Sequence, residues 1–146
     1  MGGKLDVINN LLFWLHLTGL AAGGVAAFGM PIVGSRLATA NAETRPLLFS
    51  LGHTITRVGQ VAMGLLIITG PLLVWLKFGG TAGLNGWFWL KMVLFVLLLA
   101  VIITGGVFEK RLEKGDESVL PLLPRLAVID IVLLLGVIVS AVFAFN

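Results

Sequence analysis

Between Asp6 and Arg36 the chain carries no Asp, Glu, Lys or Arg, and three later stretches are nearly as bare. The apolar segments run from about Val7 to Gly34, Leu47 to Leu76, Gly86 to Phe108 and Leu126 to Phe145. A hydrocarbon core of about 30 Å is crossed by roughly 20 helical residues, so each segment is long enough to span. Backbone groups in lipid must bond to one another, which leaves helices as the only solution for such segments. The fold expected is therefore all-α: an integral membrane four-helix bundle forming one domain over residues 1–146, with spans at about 7–34, 47–76, 86–108 and 126–145. Composition agrees. Hydrophobic residues make up 58% and charged ones 12%, where soluble domains carry about 25% charge, and the mean hydropathy is +1.07.

The absence of cysteine excludes a disulfide framework, a thiolate metal site and a thiol nucleophile. The net charge of +3 comes from loop lysines and arginines, and it bears on topology rather than on nucleic acid. Arg36, Arg45, Lys110, Arg111, Lys114 and Arg125 fall in the first and third connections, whereas Lys4 and Lys77 fall on the other side. The positive-inside rule then puts those two connections in the cytoplasm and both termini on the outer, periplasmic side. Trp14, Trp75, Trp87 and Trp89 lie toward the outer ends of their segments, as an interfacial belt would require. The expected location is a bacterial inner membrane, crossed several times. The first apolar run continues to Val33, longer than the roughly 7–15 residues of a signal h-region, so it is read as a span. The prolines are expected near segment ends or in connections, and Glu109–Ser118 as a solvated loop.

Ionisable residues inside spans cost a few kcal/mol each and call for a reason. His16 shares a helix face with Gly19, Gly23, Ala26 and Ala27, a small-residue stripe that admits either a neighbouring helix or a flat ligand. It is read as an imidazole bonded to another helix, as an axial ligand to haem iron or another metal, or as a proton relay. His53, Thr56, Arg57, Gln60 and Gly64 share one face of the second segment and are expected to look into the bundle interior or a wet cavity. A guanidinium keeps its charge, so Arg57 requires either Asp130 or the carboxylate of a ligand. Lys91, after Trp87 and Trp89, either snorkels to the headgroups or meets a ligand anion. His16 and His53 are expected about 12 Å apart in depth, which favours a haem held by one histidine with another axial partner, for which Met30 and Met63 are available.

The first-segment histidine with its small-residue stripe and Phe28–Pro31 (FGMP) resembles the start of the HemJ-type protoporphyrinogen oxidases, and also the CopD-type copper-resistance membrane proteins. Gly86–Ala100 (GWFWLKMVLFVLLLA) resembles the Trp-x-x-x-Lys helix of the HemJ type, with Lys91 at the matching position. The segment from Leu123 (LPRLAVIDIVLLLGVIVSAVFAF) resembles the closing helix of that family, and Arg57 with Thr69-Gly70 resembles its second. The late third segment reads AVIITGG where that family carries a histidine. The resemblance implies a four-helix membrane protein that binds haem b or a porphyrin and acts as a redox enzyme. It implies His16, Arg57 and Lys91 as site residues; together with the reading of the spans themselves, His16 is the candidate metal ligand and His16, Arg57, Lys91 and His53 are the cofactor-binding candidates. The alternatives are a copper or other metal permease of the CopD type and a small structural or assembly subunit of a membrane complex. Beyond the bilayer and a porphyrin, a second copy or a larger membrane complex is the partner these readings require.

Overall fold

The structure, a computed structural model, describes residues 2–81 and 84–144. It is helical throughout: α1 (Gly2–Leu37), α2 (Arg45–Phe78), α3 (Gly86–Glu113), a short 3-10 helix (Glu117–Leu122) and α4 (Leu123–Ala144). Four helices are long and apolar enough to cross a membrane. Phe145, at the end of the fourth expected span, lies outside the described residues, as do Ala82 and Gly83 in the α2–α3 turn.

Pro31 lies inside α1 and Pro71 inside α2, each within the last two turns, and neither ends its helix. In lipid an interrupted helix has no water to satisfy the freed backbone, so continuing past one missing N–H is the cheaper course. Residues 109–113 are not loop, since α3 continues through Glu109 to Glu113. The loop begins at Gly115, whose φ of +88° lies in the left-handed region. Beyond it the Asp116 side chain caps the 3-10 helix. The Ser118 hydroxyl bonded to Asp116 holds that carboxyl below the usual carboxylate range.

The chain forms two antiparallel hairpins, α1–α2 and α3–α4, joined along α1 and α4. Small residues make the first seam. A Cβ on Gly19 would lie 3.2 Å from the Ala62 carbonyl and 3.3 Å from Leu65 Cβ, and one on Gly59 would lie 3.1 Å from Ala26 Cβ. Larger residues make the second: Leu98, Leu134 and Val137 are buried together, with Leu20 and Ala27 of α1 against them. Asn85 ties the start of α3 to the end of α4, accepting from the Phe88 amide and donating to the Phe143 carbonyl at 3.0 Å. Outward-facing Val25, Val61, Val96, Val128 and Val142 are all exposed, the surface that a hydrocarbon environment would cover. Trp14, Trp75, Trp87 and Trp89 are also exposed, toward the end that carries the α2–α3 turn.

The seam at Gly19 can be tested. Gly19→Val forces α1 from α2 and should cost about 1–3 kcal/mol, as overpacking does. At Gly24 nothing lies within 4 Å of an added Cβ, so Gly24→Ala should stay within about 0.5 kcal/mol of the parent protein. Thermal unfolding in detergent, followed by circular dichroism, measures both.

Candidate functional site

At Gly19 the α1–α2 approach brings His16 against Thr69 and Gly70. His16 Nδ1 lies 2.8 Å from Thr69 Oγ1, while Thr69 Oγ1 lies 2.6 Å from the Leu65 carbonyl. A carbonyl only accepts, so the single hydroxyl proton goes to Leu65, and the threonine oxygen can only accept from the imidazole. Nδ1 therefore carries the proton and donates it to Thr69. Nε2 is left with its lone pair. Thr69 is 2% exposed, so water does not compete for this bond. Lys91 of α3 is close enough for its charge to act on His16. His16 and Lys91 are each half-buried, but their helices, α1 and α3, share no backbone contact among the described residues.

The glycine stripe serves packing. Gly19 abuts the α2 backbone, and a Cβ on Gly23 would meet Ala62 Cβ at 3.9 Å. The room expected there for a planar ring is filled by α2, so any flat ligand of His16 has to lie away from the α1–α2 seam.

The second polar group lies at the opposite end. Glu109 of α3, 9% exposed, accepts from the Thr56 hydroxyl at 2.9 Å, and Met30 Sδ lies 3.8 Å from the same hydroxyl. The approach is close enough that a Cβ on Gly52 would lie 2.9 Å from Glu109 Oε1. One turn on, Glu113 meets His53 Nε2 in an ion-pair contact at the protein surface. These carboxylates tie α3 to α2, helices that otherwise share little contact.

Because α3 approaches α2 so sparingly, one flank of α2 stays open. His53, Arg57 and Gln60 are exposed, contrary to the expectation that they line the interior, and Thr56 is the member of that stripe that turns to α3. Asp130 does not pair with Arg57 or His53, for α2 and α4 share no contact among the described residues. One Asp130 carboxyl oxygen is buried without a hydrogen-bond partner. Thr69, which His16 meets across the seam, lies 16 residues beyond His53 on α2 (69 minus 53). The two histidines therefore differ in depth by about 24 Å rather than 12 Å, and no single metal can take both. His16 with Lys91 and His53 with Arg57 are separate places.

Sequence reasoning passed over Glu109 and Glu113. Their signal is the i, i+4 spacing directly after an apolar run, matched on α2 by Gly52 and Thr56 at the same spacing. Among the described residues no group of three His, Cys, Asp or Glu could hold a bare metal ion. Compared with known protein families, characterised proteins and solved structures, the chain matches none.

The Thr56–Glu109 bond gives a prediction. Thr56→Ala strands a buried carboxylate and should cost about 1–3 kcal/mol. Thr54 is exposed and its hydroxyl donates only to the Ser50 carbonyl of its own helix, so Thr54→Ala should change stability by no more than about 0.5 kcal/mol. Thermal melts of the two variants decide it.

Proposed function

We propose that the protein is a membrane-integral haem- or porphyrin-binding protein, with His16 Nε2 as the axial nitrogen and haem b as the cofactor. The observation that carries this reading is the His16–Thr69 bond. Ligating histidines commonly donate the other ring N–H to a fixed acceptor, which sets the tautomer and aims the free nitrogen. Thr69 does both for His16. Lys91, on α3 and within electrostatic reach of His16, is the cation suited to a propionate. A macrocycle already supplies four nitrogens, so one protein ligand suffices, whereas a bare ion needs three or four protein ligands. The donor set therefore fits a tetrapyrrole better than it fits a copper permease.

When bound, haem supplies one-electron chemistry at iron. This chain's contribution is to hold the axial nitrogen with Thr69, to place Lys91 near it and to seal α1 against α2. The resemblance to HemJ-type oxidases makes a membrane oxidoreductase the activity to examine first. The basic first and third connections favour both termini outside a bacterial inner membrane. A cysteine introduced at Ser118 of this cysteine-free chain should then resist an impermeant thiol reagent in intact cells. Labelling there would reverse the orientation.

The competing reading is a small structural or assembly subunit. It is favoured by Gly19 and Gly23, which serve α1–α2 packing, and by the fact that the His16–Thr69 bond itself joins two helices. The spectrum separates the two. Protein purified from haem-replete cells, or titrated with haemin, should show a Soret band that His16→Ala abolishes or strongly blue-shifts. Protein unable to take up haemin, or an unchanged band in His16→Ala with only a lower melting temperature, would leave the assembly reading standing alone.

A further inference from the structure

Arg57 is a cation on a helix long and apolar enough to span a membrane, with no hydrogen-bond or ion-pair partner among the described residues. It stands where two surface depressions meet. The first, about 670 Å³, is lined by Phe49, Ser50, His53, Thr54 and Arg57 of α2 and by Glu113 at the end of α3. The second, about 440 Å³, runs between α1 and α2, where Ala22 faces Val58, Val61 and Leu65, and it too includes Thr54 and Arg57. The first depression carries the polar side chains Ser50, His53, Thr54, Arg57 and Glu113 beside Pro46 and Phe49, and the second is apolar almost throughout. Together they have the character of a lipid: a headgroup site continuing into a track for an acyl chain.

We propose that this double depression binds one anionic phospholipid, its phosphate at Arg57 and one chain along the α1–α2 groove. Depth supports it. Arg57 lies 12 residues beyond Arg45, the first residue of α2 (57 minus 45), or about 18 Å along the axis. With 34 residues, α2 is about 51 Å long, so a 30 Å core leaves roughly 10 Å emerging at each end. The Arg57 backbone then sits about 8 Å below the headgroups, within reach of a snorkelling guanidinium. A phosphate drawn down to it has both oxygens available for a bidentate contact.

The rest of the lining fits the same ligand. The Ser50 side chain lines the depression as a donor, whereas Thr54 commits its hydroxyl proton to the Ser50 carbonyl and offers only an acceptor. Glu113, the carboxylate that lines the cleft, is in contact with His53 Nε2. Arg36, Lys110, Arg111, Lys114 and Arg125 lie at the same end of the bundle and favour an anionic over a zwitterionic surface. A free phosphate would satisfy Arg57 but leave the apolar groove without a role.

The test uses the full chain in detergent micelles doped with phosphatidylglycerol or phosphatidylcholine, with retained lipid counted by native mass spectrometry. The parent protein should retain phosphatidylglycerol preferentially. Arg57→Gln should weaken that retention roughly tenfold, the scale of a lost charge-assisted contact. Val61→Trp, which fills the groove from an exposed position, should weaken it as well. Lys77→Gln, an exposed cation at the opposite end of α2, should leave it intact. If Arg57→Gln fails to fold by circular dichroism, Arg57→Lys, which keeps the charge, should keep the preference while Val61→Trp loses it. Equal retention of the two lipids, an undiminished preference in Val61→Trp, or complete displacement of phosphatidylglycerol by inorganic phosphate would each overturn the proposal.

Discussion

At Gly19 the backbones of α1 and α2 come so close that a Cβ would sit 3.2 Å from the Ala62 carbonyl. In lipid there is no hydrophobic force between helices, and such close approach supplies the dispersion contact that replaces it. Once Gly19 and Gly59 fix the register, His16 falls opposite Thr69. The threonine is in turn locked to its own helix by the Leu65 carbonyl. The chemistry available at His16 is thus set by two glycines and a hydrogen-bond donor count, before any ligand is considered.

The other half of the molecule is organised by scarcity of contact. α3 belongs to α4, and it reaches α2 through Glu109 and Glu113 at one end. A buried carboxylate is costly unless it is well bonded, and Glu109 has the Thr56 hydroxyl and the open backbone at Gly52 beside it. Elsewhere the two helices stand apart, leaving His53, Arg57 and Gln60 on an exposed flank. On the proposed lipid site, an anionic headgroup is the partner this flank would take.

Much of this was legible in the residues. The four spans follow from the absence of charge, and the helical period gathers His53, Thr56, Arg57, Gln60 and Gly64 onto one stripe. Which way that stripe faces was not legible, because it depends on how far α3 stands from α2, a distance set by packing along α4. The same limit hid Glu109: a glutamate beside Lys110 and Arg111 reads as loop until Gly52 and Thr56 are seen across from it. His16 was recognised as a residue needing a reason, but its tautomer required the identity of its partner and of that partner's own acceptor.

That tautomer is where the haem reading is most exposed. Nitrogen-15 NMR of protein labelled at histidine, with His53→Gln to assign the two histidines, reports the protonation of each ring nitrogen of His16. The account predicts a neutral imidazole with Nδ1 protonated and Nε2 bare, and loss of the Nε2 resonance when haemin is added. A proton on Nε2, or an Nε2 resonance indifferent to haemin, would contradict it.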